Sequence, residues 1–342
     1  MVAINNITYV RKEENGVTVY NAEDNLYKFY ENLKYRNIVH IKKDEEKLEY
    51  LEKNKEKINK NIIYTSPFRI NWLISENCNL NCVYCFADDK MGKKENKMHI
   101  LKTVRHILKL NTMVVGITGG EPTLNPYIYN IIDKLCGKCA ICIDTNGTVL
   151  LNDKLIKKIK ESNALVRITI DTFNETILNK VRIAKSSKLD QLKNIQQNIE
   201  KLRFANALFM VHTVVTMYNK DELEALANNL IALGVKRWNL YGVNYCEKCK
   251  DYYEQIKVEK QELEDICKCL IYKYGDKLDI SVHYDEEKYN ERAVILVDSD
   301  GKFFLDTIKS GIRFIGKNSK KPSKNEIEKF LDVNAHCNGY LS

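Results

Sequence analysis

Six short apolar runs, each followed by a stretch with helical periodicity, constrain the fold of this chain more than any other feature of its sequence. The runs are rich in Val, Ile and Thr, as buried parallel strands are. They occupy residues 68–75, 113–119, 140–145, 165–171, 207–216 and 235–243. Consecutive βα units predict a parallel sheet with right-handed crossovers. We therefore expect an α/β fold, a partial (β/α)6 barrel of the TIM type.

The predicted barrel occupies residues 67–245 and is preceded by a polar segment, residues 1–66. Short apolar alternations at Ile7–Tyr9 and Val17–Tyr20 and a helical pattern near Asn25–Leu33 make this segment a small α/β appendage. Two roles are open for it. It recognises a peptide that adds to a sheet edge, or it caps the bottom of the barrel.

A C-terminal extension, residues 246–342, follows the predicted barrel. It contains a helical pattern near Lys260–Tyr274, and the Asp300-Gly301 pair between two apolar runs predicts a β-hairpin. The segment NEIEKFLDVNAHC predicts a final helix.

Composition excludes several classes of protein. The chain of 342 residues is 44% hydrophobic, enough for a sizeable core. Its net charge of +8 comes from lysines spread along the sequence, which disfavours nucleic-acid binding because such binding needs clustered charge. Since no apolar run approaches about 20 residues and no secretion signal is visible, we expect a cytoplasmic protein without membrane contact.

The eleven cysteines gather in local groups, which in a reducing compartment favour metal or redox roles over disulfides. Cys78, Cys82 and Cys85 follow the first predicted strand in a C-x3-C-x2-C spacing, at the barrel edge where active residues are expected. Each iron of a [4Fe–4S] cluster takes one protein sulfur, so three cysteines leave one iron open for a ligand. A zinc site completed by Cys246 and Cys249 is the alternative.

A second motif stands at the end of the second predicted strand. Here the sequence ITGGEP places Gly119, Gly120 and Glu121 in a row. Glycines allow a backbone to approach a ligand closely, and a carboxylate accepts hydrogen bonds from an ammonium group.

Together the two motifs resemble the radical S-adenosylmethionine (SAM) superfamily, and Tyr84, directly before the third cysteine, also fits its pattern. The resemblance implies a [4Fe–4S] cluster on the three cysteines. It also implies that the Gly119–Glu121 segment holds the amino group of SAM.

Weaker similarities extend over residues 68–243. The family's further SAM-contacting positions correspond to Asn146, Thr169, Asp171, Arg182 and Thr213. Thr172 stands where the family usually has glycine, and Asp171 and Arg182 also suit a plain surface pair. No catalytic residue beyond these cofactor contacts can be named.

The implied reaction is reductive cleavage of SAM to a 5′-deoxyadenosyl radical, which abstracts a hydrogen atom from the substrate. An electron donor such as flavodoxin or ferredoxin is implied as a partner. The hairpin at 297–305 and the FIGKNS segment resemble the SPASM/twitch extension of peptide-modifying members. Leu305 and Asp306 stand where a cysteine is usual and only Cys337 lies downstream, so the extension is degenerate.

We therefore expect an enzyme that crosslinks or otherwise modifies a ribosomally made peptide or protein at a C–H bond. Two alternatives remain: a radical SAM enzyme acting on a small molecule or nucleotide, and a metal-binding protein without catalysis. Whether Cys246 and Cys249 hold an auxiliary metal is open, while Cys267 and Cys269 are two residues apart on a predicted helix and should face different directions. Cys142 is expected in the core.

Overall fold

The computed structural model describes residues 1–55, 66–85, 97–246, 248–283, 294–307 and 311–314. The side chains of residues 294, 305–307 and 311–314 are not described. The chain forms a small N-terminal sheet and a large central sheet surrounded by helices.

The N-terminal region is an antiparallel sheet of four strands in sequence order with two helices beside it. Its elements are β1 (Val2–Ile4), β2 (Thr8–Lys12), β3 (Gly16–Asn21), β4 (Leu26–Glu31), α1 (Tyr35–His40) and α2 (Asp44–Glu52).

The helix predicted near Asn25–Leu33 is wrong, because this segment forms β4 and pairs antiparallel with β3. Two local features favour the strand. Asn25 adopts a left-handed φ of 52° that turns the chain back on itself. The aromatic residues that follow suit a strand, and the Tyr27 ring stacks on that of Phe68 at 4.6 Å.

The central sheet has ten strands, which are from one edge to the other β13 (Asp279–His283), β12 (Arg237–Gly242), β11 (Phe209–Val215), β9 (Leu165–Thr169), β8 (Ala140–Thr145), β7 (Val114–Thr118), β5 (Arg69–Leu73), β14 (Val294–Val297), β15 (Phe303–Thr307) and β16 (Gly311–Phe314). The six strands predicted from the apolar runs are confirmed and lie side by side in parallel. They are β5 (Arg69–Leu73), β7 (Val114–Thr118), β8 (Ala140–Thr145), β9 (Leu165–Thr169), β11 (Phe209–Val215) and β12 (Arg237–Gly242). In the described part of the chain the pairing leaves the sheet open, with β13 and β16 at its edges.

Helices cover the outer face of this sheet. They are α3 (Lys97–Lys109), α4 (Ile128–Leu135), α5 (Asp153–Ser162), α7 (Gln191–Phe204), α8 (Leu223–Ala232) and α10 (Lys260–Tyr274). Two shorter helices, α6 (Glu175–Val181) and α9 (Tyr253–Ile256), contribute no residue to the core between this sheet and its helices. Alternate strand residues such as Ile70, Trp72, Val211 and Val215 join the helices in the main hydrophobic core. Because side chains alternate along a strand, the residues between them face the barrel interior.

The N-terminal sheet packs against the amino ends of the barrel strands. Tyr9, Tyr20 and Phe29 form one buried cluster with inward residues at the starts of the strands, such as Val114 and Leu165. The N-terminal sheet therefore covers the bottom of the barrel, opposite the edge that carries the two sequence motifs.

The C-terminal strands extend the central sheet at both edges. They are β13 (Asp279–His283), β14 (Val294–Val297), β15 (Phe303–Thr307) and β16 (Gly311–Phe314). β13 pairs with β12 and β14 pairs with β5, both in parallel, and the predicted hairpin joins β14 to β15. Gly301 in its turn has a φ of 76°, which favours glycine.

The predicted final helix, the end of the FIGKNS segment and Cys337 lie outside the described residues. Within the described ranges, no helix combines the length and the apolar character that crossing a bilayer requires.

Candidate active site

Both sequence motifs meet at the carboxyl edge of the barrel, where they are joined by backbone hydrogen bonds. Gly120 N donates to Ser75 O and Glu121 N donates to Asn77 O, each at 2.7 Å. A Cβ on Gly120 would lie 2.4 Å from Asn77 O, and one on Gly119, whose φ is 137°, would lie 2.5 Å from Ser75 O. The glycines are therefore required for contact between the cysteine loop and the loop after β7.

The loop that carries the three cysteines is held by a short antiparallel ladder. Its strand β6 (Leu80–Cys82) pairs with β10 (Arg182–Ala184), which places Cys82 opposite Arg182. The Cys78 sulfur accepts hydrogen bonds from Leu80 N at 3.4 Å and from Asn146 Nδ2 at 3.7 Å. Such donors stabilise a sulfur that carries negative charge, as a cluster ligand does.

Arg182 is fully buried and fastens two strand ends to this ladder. Its two terminal nitrogens donate to Thr169 O and Asn146 O. Burial raises the pKa of the Cys82 thiol to about 12, and the Arg182 charge acts in the opposite direction by favouring the thiolate. Arg182 Nε is buried and has no hydrogen-bond partner among the described residues.

Glu121 is fully buried, and protein groups occupy its carboxylate. Oε1 accepts from Thr123 N at 3.0 Å, from Thr123 Oγ1 at 2.5 Å and from Thr145 Oγ1 at 2.8 Å. Oε2 accepts from Asn146 N at 2.7 Å. Burial raises the pKa of this carboxyl group, and the hydrogen bonds oppose that rise. The side chain expected to meet SAM therefore also ties the β7 loop to the β8 loop.

The half-buried Tyr84 and the buried Asp171 form a second link between loops. The Tyr84 hydroxyl donates to Asp171 Oδ2, while Asp171 Oδ1 accepts from Val214 N at 2.9 Å. Burial raises the pKa of Asp171, and the charge of Arg182 opposes this rise. Asp171 is fully buried, so the alternative of a surface pair with Arg182 is wrong.

Thr213 is the one predicted site residue whose side chain lies away from this edge. It is on the helix-covered face of β11, where its hydroxyl donates to Ile170 O and accepts from Trp238 Nε1 at 2.8 Å. The inward positions of β11 next to it are His212 and Val214. The apolar run alone does not tell which of its alternate residues face inward.

Two further cysteines lie against the cysteine loop. Cys246 and Cys249 are buried with their sulfurs 3.2 Å apart, and the Cys246 thiol donates to Cys85 O at 3.7 Å. The remaining expectations for cysteines are met: Cys142 is buried in the core, and on α10 Cys267 is buried whereas Cys269 is exposed.

A layer of polar residues inside the barrel was missed by the sequence analysis. Arg69, Asp144, Arg167, His212 and Tyr241 occupy inward positions of five different strands. The Arg167 guanidinium donates to both oxygens of Asp144. The sequence contained a signal for this polar layer. Each of these residues interrupts an apolar strand run, and the alternation of side chains along a strand places it on the same face as the inward residue two positions away.

The residues of the cysteine loop fit a [4Fe–4S] cluster. Three thiols lie on one loop, N–H groups approach the Cys78 sulfur, and the Arg182 charge is close to Cys82. Within the described residues no three Cys, His, Asp or Glu side chains converge on a point where one metal ion would sit. A cluster does not demand such convergence, because each iron takes its own thiolate.

Comparisons with known proteins agree with this site. The sequence model of the radical SAM superfamily matches residues 72–230. An uncharacterized protein of Methanocaldococcus jannaschii is 36% identical over 174 residues, which are 48% of this chain and 58% of that protein. The GTP 3′,8-cyclase of Clostridium perfringens is 30% identical over 165 residues, which are 45% and 49% of the two chains.

The subtilosin biosynthesis protein AlbA of Bacillus subtilis is 23% identical over 205 residues, 58% of this chain and 44% of AlbA. The chain thus matches only about half of the length of these relatives.

Among solved structures, Streptococcus suis SuiB bound to its precursor peptide SuiA has a TM-score of 0.65 at 13% identity, over 89% of this chain and 82% of SuiB. SuiB bound to S-adenosylmethionine gives a TM-score of 0.64 at 14% identity over the same shares. At this identity the likeness shows the fold.

Three observations coincide at one edge of the barrel. They are the cysteine loop (Cys78–Cys85), the GGE loop (Gly119–Glu121) bonded to the segment before it, and a family match that spans both loops. Residues 72–230 therefore form a radical SAM domain, and members of that superfamily use a [4Fe–4S] cluster and S-adenosylmethionine.

Proposed function

We propose that this chain is a radical SAM enzyme that removes a hydrogen atom from a C–H bond of a ribosomally made peptide or protein, forming a crosslink or another modification. When bound, the cluster and SAM supply the radical chemistry: one electron cleaves the carbon–sulfur bond of SAM into methionine and a 5′-deoxyadenosyl radical. The residues of the chain bind and orient these groups.

The junction between the cysteine loop and the GGE loop carries this proposal. Two backbone hydrogen bonds, both 2.7 Å long, hold the loops together. The backbone of Gly119–Glu121 thus lies beside the loop whose three thiols would hold the cluster, where it would be available to bind SAM. Glu121 Oε2 accepts one described hydrogen bond, from Asn146 N, and a carboxylate oxygen has room for another donor such as the ammonium group of SAM.

The proposed cofactor contacts divide into two roles. Cys78, Cys82 and Cys85 would hold the cluster, with Asn146 donating to the Cys78 sulfur. Arg182, Asp171 and Tyr84 position the loops around it, since their described hydrogen bonds go to protein groups. Thr169 presents its carbonyl to Arg182, and Thr213 has no part in the proposed site.

A peptide substrate is favoured by the extent of the structural likeness. SuiB, solved with its precursor peptide, matches 89% of this chain, well beyond the 72–230 segment of the family match. AlbA, also similar in sequence, is named for the biosynthesis of a bacteriocin. The likeness to a GTP 3′,8-cyclase supports the second candidate, a nucleotide substrate.

The proposed setting is the cytoplasm with a small electron-transfer protein, such as flavodoxin or ferredoxin, as reductant. No disulfide joins any two of the ten described cysteines. Cysteines without disulfides are typical of a reducing compartment.

The activity is tested on anaerobically reconstituted protein supplied with SAM and dithionite. We expect 5′-deoxyadenosine in the products and about four irons and four sulfides per chain. Both should be lost when Cys78, Cys82 and Cys85 are replaced together by alanine, whereas Cys269→Ala, an exposed position on α10, should match the wild type.

Two outcomes would change the conclusion. A protein that binds iron but yields no 5′-deoxyadenosine would be a metal-binding protein without catalysis. Iron that remains in the triple variant but disappears when Cys246 and Cys249 are also replaced would assign a second metal site to that pair.

The substrate is tested by hydrogen transfer. Deuterated peptides encoded beside the gene and deuterated nucleotides are offered separately, and deuterium in 5′-deoxyadenosine is measured by mass spectrometry. Transfer from a peptide supports the proposal, and transfer from a nucleotide alone refutes its peptide part.

A further inference from the structure

The polar layer inside the barrel carries an excess of positive charge. Asp144 is its one described carboxylate, and the Arg167 guanidinium already takes both of its oxygens. Arg69 is the second buried guanidinium, and its Nη2 lies 3.9 Å from Asp144 Oδ2, beyond hydrogen-bond distance. Two guanidinium groups therefore share one carboxylate.

Two buried polar atoms of this layer have no hydrogen-bond partner among the described residues. They are Arg69 Nη2 and His212 Nε2, from inward positions of β5 and β11. Buried polar atoms are nearly always paired, so two unpaired donors or acceptors in one layer indicate a missing partner. The His212 and Tyr241 ring centroids are 4.9 Å apart, so an aromatic ring lies beside the histidine.

A glycine on the neighbouring strand leaves room for the Arg69 guanidinium in the polar layer. Arg69 Nε donates to Asn71 Oδ1 at 2.7 Å, which fixes the guanidinium. A Cβ on Gly116, the inward residue of the neighbouring strand, would lie 2.7 Å from Arg69 Nη2 and 2.4 Å from Asn71 Oδ1. Gly116 thus keeps the space that the Arg69 side chain needs, and Nη2 has no hydrogen-bond partner among the described residues.

The layer lies just below the cofactor site. Asp144 lies near the end of β8 and precedes Asn146, the first residue after that strand, by two positions, about 7 Å along the chain. Asn146 Nδ2 donates to the Cys78 sulfur. Arg167 precedes Thr169 in the same way, and the Thr169 carbonyl accepts from Arg182. A substrate that enters the barrel beneath the cofactors would meet this layer first.

We propose that Arg69, together with Arg167 and His212, forms a subsite that binds a carboxylate of the substrate inside the barrel. This inference rests on the proposed function, in which the barrel interior receives a peptide. A guanidinium fork matches a carboxylate geometrically, and Arg69 Nη2 and His212 Nε2 supply two partners that the protein itself leaves unused. An acidic side chain and a C-terminal carboxylate share this chemistry.

The subsite is tested by calorimetric binding to the anaerobically reconstituted full chain with SAM present. The probes are N-acetylglutamate α-amide for an acidic side chain, N-acetylalanine for a C-terminal carboxylate, and neutral N-acetylglutamine α-amide as the reference. We expect one acidic probe to bind at least about tenfold more tightly than the neutral probe, since hydrogen bonds to charged groups are the strong ones. Which acidic probe binds identifies the source of the carboxylate.

Two variants with opposite expected effects separate binding from folding. Arg69→Gln should weaken the acidic probe about tenfold or more, because it removes the open guanidinium. Asp144→Asn should tighten it, because it removes the competing carboxylate while keeping an oxygen for Arg167. Arg203→Gln, at an exposed position on α7, is the matched loss of charge and should leave binding unchanged.

The inference is overturned by equal binding of the acidic and neutral probes, by no binding of any probe, or by wild-type affinity in Arg69→Gln. Inorganic phosphate binding more tightly than both carboxylates would also overturn it and favour a nucleotide substrate. Formation of 5′-deoxyadenosine is measured separately. A chain that binds the acidic probe but does not cleave SAM therefore refutes the proposed function and leaves the subsite standing.

Discussion

Charged side chains at the rim of the barrel and those one layer deeper are arranged differently. At the rim, the Glu121 carboxylate accepts four hydrogen bonds, and both terminal nitrogens of Arg182 are bound by carbonyls, so that only Arg182 Nε lacks a partner among the described residues. In the interior, Arg69 Nη2 and His212 Nε2 have no partner among the described residues. Both layers are buried, so exposure does not explain the difference.

The comparison separates two uses of buried charge. A charge whose hydrogen bonds all go to loops fixes the backbone, and its removal should be felt as lost stability. A charge that keeps an unused hydrogen-bond donor should matter for binding more than for stability. The expected effects of substitution therefore differ between the layers in kind as well as in size.

Glu121→Ala should have the largest effect on stability. It leaves four donors unpaired in a buried loop junction, and we expect a loss of about 4 kcal/mol in the free energy of unfolding. Urea unfolding measures this loss, and Glu200→Ala, at an exposed position on α7, is the control. A loss below about 1 kcal/mol would contradict the structural role of the rim carboxylate.

Arg182→Lys tests the same layer from the cationic side. One ammonium group cannot reproduce the fork that reaches Asn146 O and Thr169 O together, so we expect a loss of about 3 kcal/mol. Because Cys82 lies opposite Arg182 in the ladder, the iron retained per chain should fall as well. Arg105→Lys, exposed on α3, should change neither quantity.

The rim was largely predictable from the sequence, because its residues stand in consecutive motifs. The spacing of Cys78, Cys82 and Cys85 and the GGEP segment place them directly after two strand runs, and parallel strands end at one edge. What the motifs could not reveal is the partner of each group. Glu121 and Arg182 turned out to bind loops, a fact that depends on contacts between segments distant in sequence.

The interior layer and β4 show where sequence reasoning fell short. The inward position of Arg69 depends on the phase of an alternation, and a shift of one residue would turn its side chain outward. The segment at Leu26–Glu31 was assigned the wrong period, since six residues between asparagine-rich turns are too few to distinguish helix from strand. Pairing with β3 decided its structure.

Two glycine substitutions compare the stability cost of a change at the rim with that of a change in the interior layer. Gly120→Ala forces a Cβ against the Asn77 backbone, which cannot move without opening the loop junction, so we expect a loss of about 2 kcal/mol. Gly116→Ala meets the side-chain ends of Arg69 and Asn71, which can shift, so it should cost about 1 kcal/mol or less.

For the loss of affinity for the acidic probe, the order of the same two variants should be reversed. Gly116→Ala displaces Arg69 and should weaken the probe more than Gly120→Ala does. Unfolding in urea and calorimetric titration measure the two rankings. If both variants lose stability and binding in the same proportion, the distinction between the layers fails.

The smallest effect concerns His212 and the dependence of stability on pH. Burial, and after it the charge of Arg167, holds the pKa of His212 well below 6.5. As the pH falls through about 6.5, the unfolded chain takes up a proton at this histidine while the folded chain does not. The free energy of unfolding therefore decreases, by at most about 1.4 kcal/mol per pH unit.

His212→Gln should remove this part of the slope between about pH 6.5 and pH 5.5, which urea unfolding at several pH values measures. The raised pKa values of Glu121 and Asp171 act with the opposite sign, and they cancel in the difference between wild type and variant. A bound carboxylate near His212 Nε2 would favour the protonated ring, so a saturating acidic probe should flatten the wild-type slope and leave that of His212→Gln unchanged. An unaltered wild-type slope would place the probe away from His212 and confine the subsite to the two arginines.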